Sequence, residues 1–370
     1  VSGDDSAGEG RWVRRTVRNV VYVLLTAAAI LVEYSYVGAL TYPGDASVGV
    51  RTVDWLRDHG AGPVVDLAEN WWYSRRPAST AAAAPDLPAP AGVVGDAPAR
   101  LAPIGPHPAP GDGVWQAGPL AVNGRATVCI TSVHPDPEDP NVLAGIARFD
   151  QGVVASHLIA GTKEPERQPA DAGQVPADLR PVLVATFNSG FKVNGSRGGY
   201  FARPRVVRPL RDGVASLVVD DTGRASVGMW GRDAHLDSHV VAVRQNLSLI
   251  IDDGRPVPGL AANVDGRWGS TKNQLQYTWR SAVGVDAAGY LVYVAGNNLT
   301  LDTLTRALAA AGVVRGMEMD IHPNMVHLFL YEHSPAAALS PIKLLDDMHG
   351  PATRYLRPDQ RDFIAITERQ

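Results

Sequence analysis

Glu318, Asp320 and His322 stand two residues apart in the stretch GMEMDIHPNMVH, residues 316–327. Met317, Met319 and Ile321 alternate with them. In an extended chain, successive side chains point to opposite faces. One face is then apolar and should meet a core. The other carries two carboxylates and an imidazole in a row and should line a pocket. Paired carboxylates are the usual equipment for hydrolysing a glycosidic bond, and an imidazole beside them can pass a proton or bind a metal. Close carboxylates also repel, which raises the pKa of one of them. Pro323 ends the ladder, and Asn324 and His327 follow. Glu318, Asp320, His322 and His327 are metal ligands by type. No recognised metal-binding spacing joins them, so no cofactor is expected, with a divalent ion as the alternative.

Other residues could complete such a site. Arg280 closes the run STKNQLQYTWR, and its planar guanidinium suits two-point binding of phosphate or carboxylate. Its competing use is a salt bridge to Asp320 or Glu318. Asn273, Gln274, Gln276, Tyr277 and Trp279 supply amides and aromatic faces of the kind that line a sugar site. In a strand only alternate members of that set would reach a ligand. Asn188, ending ATFN, either hydrogen-bonds sugar hydroxyls or builds the turn after it. Lys192 follows Phe191 and is placed to meet a phosphate. Gln245 and Asn246 are weaker candidates, and Trp230 and Trp268 are equally suited to a core. Cys129, in RATVCITSV, is the single cysteine. It reads as a buried, inert thiol, and its solitude excludes an intramolecular disulfide and a Cys-rich zinc site.

The elements that must position these residues are legible in outline. PVLVATF reads as a strand running into NSG. VASLVVDDTGRASVGMW and SAVGVDAAGYLVYVAG read as hairpins, and LSLIIDDGRPV as a strand with a tight turn. TLDTLTRALAAAG reads as a helix. Thr300 can cap it, Leu301, Leu304 and Leu308 share a face, and Gly312 ends it. The order hairpin, helix, strand delivers the polar triplet to a strand end.

The N-terminal part is of another character. Arg11, Arg14, Arg15 and Arg18 precede an uncharged run, Val20 to Val32, which Glu33 interrupts before YSYVGAL. A spanning helix needs roughly 20 apolar residues. The expected organisation is a basic cytoplasmic tail over 1–18 and a signal-anchor transmembrane helix over 19–41. A short juxtamembrane helical segment over 42–73 and a Pro/Ala-rich spacer without fixed structure over 74–113 follow. One domain then fills 114–370. Arginines before the span place the N-terminus inside and the main domain outside, in a single-pass cell-membrane protein. Val37-Gly38-Ala39 resembles a cleavage site, so secretion after signal removal is the alternative. Within 42–73, VRTVDWLRDHG and PVVDLAENWWY read as two short helices, with Trp71, Trp72 and Tyr73 at the end of the second. They either pack as a satellite of the main domain or anchor at the membrane surface. The 370 residues carry a net charge of −4, against the basic footprint of a nucleic-acid binder.

From about 180 to 331 the chain resembles the phosphodiester glycosidase family. ATFNSGFK looks like the family's strand ending in Asn with a Gly-containing turn. YTWRSAVGVDAAGYLVYV looks like its Arg-bearing strand and hairpin. NLTLDTLTRALAAAGVVRGMEMD looks like its helix, turn and Asp-ended strand. The resemblance implies an α+β, mixed-sheet domain that cleaves a sugar from a sugar-1-phosphodiester or related glycoside, with Asn188, Arg280 and Asp320 at the matching positions. One departure stands out. The family commonly follows the strand Asp with a Gly-Gly-rich run and Ser, where this chain has Ile-His-Pro-Asn. The expected protein is therefore an extracytoplasmic glycosidase acting on an envelope or secreted glycan, with catalytic Asp320, Glu318 and His322. Its expected substrate-binding residues are Asn188, Lys192, Arg280, Gln276, Tyr277 and Trp279. The alternative is a non-catalytic glycan-binding or structural envelope protein that retains the fold.

Overall fold

The computed structural model describes residues 5–42, 47–73, 98–104, 108–166, 168–169, 172–269, 276–333 and 339–369. Asn273, Gln274 and most of the 74–113 spacer lie outside the described residues.

A helical unit comes first. Its leading helix runs unbroken over Asp5–Leu40, so Glu33 does not interrupt it and the expected basic tail is largely helical. An 18-residue window within Arg14–Leu40 has a mean hydropathy of 1.9 with none of it buried, which makes the stretch long and apolar enough to cross a membrane or to serve as a signal sequence. The helix Val48–Leu56 starts at Ser47, whose hydroxyl accepts the Val50 N–H. It folds back on the first helix. Tyr36 Oη lies 2.8 Å from Thr52 Oγ1, and Trp55 Nε1 donates to Ser35 Oγ at 3.1 Å. Gly60, at φ +86°, turns the chain before the helix Gly62–Tyr73. Trp71 on that helix is exposed.

The β domain is described by itself. Its largest sheet has eight strands, centred on the hairpin Thr278–Asp286 and Leu291–Leu299. Val313–Glu318 pairs with the first arm, Ala282 opposite Glu318, and Ala144–Phe149 pairs with the second. One five-stranded sheet contains Leu183–Asn188 between Leu328–His333 and Phe363–Glu368. The other contains the hairpin Ala215–Asp220 and Ala225–Met229 with Val240–Gln245, Tyr200–Ala202 and Arg205–Arg208.

All strand pairs among the described residues are antiparallel, which corrects the expected mixed sheet. The reason is topological. The helix Leu301–Ala310 does join two strands of the same direction, 291–299 and 313–318. The 278–286 strand lies between them and pairs with both, so no parallel neighbours arise. Thr300 and Thr303 form a capping box at the start of this helix. The helix buries Leu301, Leu304, Ala307 and Leu308 on one face of the large sheet, against Ile250, Ala282, Val292, Val294 and Val313. The opposite face packs Met317, Met319, Val283 and Tyr293 against Phe187, Leu217, Ile364 and Ile366 of the two smaller sheets.

The last part of the presumed spacer is docked on the domain. Leu101 N donates to Gly113 O at 3.0 Å, and Trp115 Nε1 donates to Ala99 O at 3.1 Å. Leu101 and Ile104 pack on the helix-side core. Leu101 and Ile104, both half-buried, tie this irregular proline-rich stretch to the core, so the domain begins upstream of Val114. Cys129 is half-buried on the strand Val128–Val133, and burial pushes its thiol pKa up, consistent with an inert group.

Candidate active site

The site is built where several strands end together. Asn188 closes the 183–188 strand and is buried. Its Nδ2 donates to Ser281 Oγ at 3.1 Å. Its Oδ1 accepts from Tyr293 Oη at 2.7 Å and from His327 N at 3.3 Å. The amide thus ties three elements together, and architecture absorbs the bonds expected to reach a sugar. The turn after it is held from below. Ser189 Oγ donates to Asp362 O, Arg361 Nη2 donates to Gly190 O at 2.8 Å, and Arg244 donates to Phe191 O. Gly190 sits at φ +139°, and a Cβ there would meet Asn246 Nδ2 at 3.2 Å, so backbone and amide pack without a side chain between them.

Asp320 lies just past the 313–318 strand. Its Oδ1 accepts the N–H of Ile321 at 2.8 Å and of His322 at 3.0 Å, while Oδ2 faces Arg361 Nη2 at 3.4 Å. Two amides therefore fix the carboxylate plane, and among the described residues its second oxygen has one long contact with a guanidinium, the side chain being 5% exposed. Arg361 also donates to Met325 Sδ and is itself buried at the 9% level, so Asp320 and the 190 turn share one cation. His322 is half-exposed and begins a turn, its carbonyl accepting from Met325 N and Val326 N. Asn324 N donates to His322 Nδ1 at 3.2 Å, which leaves the proton of the neutral ring on Nε2.

Glu318 does not join them. It is fully buried and pairs with Arg280 at 2.5 Å. Arg280 also donates to Leu299 O and Gln276 O, so its donors are spent inside the protein. Burial raises the pKa of Glu318, and Arg280 opposes the shift. The expected alternation fails at its second step because the strand ends at Glu318. Met317 and Met319 do face the core. Asp320 and His322 follow a turn geometry rather than the pleat. Arg280 as a substrate guanidinium and Glu318 as a second open carboxylate are therefore corrected to a buried ion pair beneath the strand end.

Trp279 is corrected as well. It is 2% exposed and belongs to the core with Met319, edge-on to His349, so it forms no sugar-facing wall. Gln276 is buried, whereas Tyr277 and Lys192 are half-exposed at the rim. Trp230 and Trp268 are core residues. His327 is buried with both ring nitrogens engaged: Arg354 Nη1 donates to Nδ1, and Nε2 donates to His349 O at 2.9 Å. Burial first, and Arg354 second, push its pKa well below the usual histidine range. It cannot ligate a metal in this arrangement. Among the described residues no three His, Cys, Asp or Glu side chains converge as an ion would require.

Several residues that shape the site carried little sequence signal. Asn246 Nδ2 donates to both Glu318 O, at 2.6 Å, and Met319 O, at 2.9 Å, and so clamps the strand that leads to Asp320. Arg354 pairs with Asp359 at 2.6 Å and reaches Asn324 O, holding the 322–327 turn. Arg244 pairs with Asp362 at 2.7 Å in full burial. The alternation of Arg354, Asp359, Arg361 and Asp362 just before a terminal strand was the one available hint of such a layer.

No family model matches the chain. No curated protein sequence matches it either. Among solved structures, it is similar to the zebrafish N-acetylglucosamine-1-phosphodiester alpha-N-acetylglucosaminidase catalytic domain auto-inhibited by its pro-peptide. That match is 15% identical with a TM-score of 0.42, over 70% of this chain and 90% of the other. It is also similar to a hypothetical protein from Synechocystis, at 11% identity and a TM-score of 0.38, over 67% of this chain and 63% of that one. These are distant likenesses of fold.

Proposed function

We propose that this chain is a glycosidase of the extracytoplasmic space, cleaving a sugar-1-phosphodiester or related glycosidic bond in an envelope or secreted glycan. The observation that carries the reading is Asp320, a carboxylate fixed by two backbone amides and left with one oxygen outside any tight bond. That is what a group needs to attack an anomeric carbon or to take a proton from the water that does. The anomeric C–O bond breaks with its electron pair leaving on the phosphate, and water supplies the new hydroxyl. A phosphate monoester departs readily, so a single carboxylate, here buried with its side chain 5% exposed, suffices where ordinary glycosides call for two. For a poorer leaving group, His322, whose Nδ1 accepts from Asn324 N, is the residue to supply the proton. Lys192 and Tyr277, half-exposed, are the rim residues for phosphate and sugar. The arginines ahead of the apolar helix favour an N-terminus inside and a domain outside.

A second reading has its own support. Asn188 and Arg280 both serve buried architecture, so a non-catalytic glycan binder would need them for folding alone. Incubation of the purified chain with a panel of sugar-1-phosphodiesters and aryl glycosides decides between them. The enzyme reading expects release of reducing sugar, fastest from the phosphodiesters. Thermal stabilisation by a panel member with no sugar released would establish the binder.

A further inference from the structure

The helix Gly62–Tyr73 presents apolar residues on its outside. Val64 is 69% exposed, Leu67 66% and Trp71 60%, and Ala68 is exposed between them. Positions 64, 67, 68 and 71 recur at helical spacing and form one stripe along a single face. By the same spacing Asp66, Glu69, Asn70 and Tyr73 fall on the opposite side of the helix. Val65, on the flank of the stripe, is buried. The helix therefore has a packed flank already, and the stripe is a second apolar face, turned outward. Apolar residues scattered singly over a surface need no explanation, but three large ones aligned on a short helix do.

Hydrogen bonds set the level at which this stripe begins. In the first helix the uncharged run Val20–Val32 ends at Glu33, and Tyr34, Ser35 and Tyr36 follow. A helix rises about 1.5 Å per residue, so Ser35 stands about 3 Å beyond Glu33. In a bilayer-spanning helix, a charge followed by tyrosines marks the boundary between hydrocarbon and water. The helix Val48–Leu56 runs back along this end. Arg51 donates to Ala39 O at 3.3 Å, Thr52 meets Tyr36, and Trp55 donates to Ser35. His59 completes the return, with its Nε2 3.0 Å from Ser35 Oγ and its ring stacked on Trp55 at 4.4 Å. The turn at Gly60, and with it the start of the helix Gly62–Tyr73, is thus held at the depth of Ser35.

We propose that the face formed by Val64, Leu67 and Trp71 lies in the interface of the outer leaflet, with phospholipid as its partner and the acidic side of the helix toward water. The depth argument rests on reading the first helix as a membrane span. A helix in the interface buries its apolar face at the boundary of headgroups and acyl chains, and tryptophan is favoured at that depth. Asp66 and Glu69 offer no attraction to anionic lipid, so apolar burial is the driving force and phosphatidylcholine suffices.

The test uses the full chain in phosphatidylcholine vesicles, with Cys129→Ser throughout, so that one introduced cysteine carries an environment-sensitive fluorophore. Leu67→Cys labels the stripe, Glu69→Cys the opposite side and Ala28→Cys the first helix. Emission from position 67 should move to shorter wavelength than emission from 69. A lipid spin-labelled near its headgroup should quench 67 strongly and leave 69 bright, and a lipid spin-labelled near its chain end should quench 28 most. Quenching at 67 with none at 28 would uphold the interfacial face and overturn the span. Three outcomes overturn the face even with 28 quenched: equal quenching at 67 and 69, a water-like emission at 67, or a short-wavelength emission at 67 that no spin-labelled lipid quenches. The last would assign the face to protein, either a partner or a second copy. Circular dichroism of each variant checks that its fold is retained.

Discussion

Glu318 and Asp320 show how much one residue type can conceal. They are two apart in sequence, yet Glu318 closes on Arg280 in full burial and Asp320 turns to two amides and Arg361. Residue types and spacing singled out both carboxylates but not their separate surroundings. Partners could not be read, because they come from positions 38 to 41 residues away, in a register that only the folded sheet defines. Two predictions belong here. Arg280→Met strands a buried carboxylate and should cost about 3–5 kcal/mol in urea unfolding, whereas Arg280→Met combined with Glu318→Met should recover most of the loss. The single variant should also show the titration of Glu318. Its folded pKa is raised, so the folded state holds a proton that the unfolded chain releases near pH 4.3, and stability falls as pH rises above that value. His327 has the opposite sign. Its folded pKa is depressed, so its contribution is complete above about pH 6.5 and is lost as pH falls, when the unfolded chain takes a proton the folded ring refuses. Urea midpoints between pH 5 and 7.5 should drop less steeply on acidification in His327→Gln than in the wild type.

Elements were more legible than partners, because their signals are local. The hairpin 215–229 turns where Asp220 Oδ1 accepts from Thr222 N and Arg224 N and Gly223 supplies φ +75°, all visible as DDTG. The helix 301–310 begins at the threonine that its capping pattern indicates. Thr300→Ala should lower stability by about 1 kcal/mol, and an unchanged unfolding midpoint would show that the cap adds nothing to the packed face. Sheet type was the misreading at this scale. The mixed sheet was what the family resemblance implied, and nothing local announces that the 278–286 strand lies between the two strands the helix joins. The 188–191 turn is the other case. Its glycine was visible, but the two guanidiniums beneath its carbonyls come from residues 244 and 361.

For the whole molecule, the change from apolar helix to proline-rich stretch to β-rich domain was plain from composition, but the domain boundary was not. Leu101 and Ile104 are two apolar residues among many prolines and alanines, and only the core they meet reveals their role. Proteolysis should therefore cut upstream of Pro98 and leave a stable fragment that retains Leu101. A fragment trimmed to Val114 should unfold at lower temperature. The central claim is that Asp320 works in bond cleavage at this strand end. The most direct measurement is the turnover of a sugar-1-phosphodiester by the full chain and by Asp320→Asn, with ligand affinity measured in parallel. The account predicts a fall in turnover on the order of 10² to 10⁴, with affinity changed far less, since the substitution keeps the shape of the side chain and removes its charge. Hydrolysis undiminished in Asp320→Asn would contradict it.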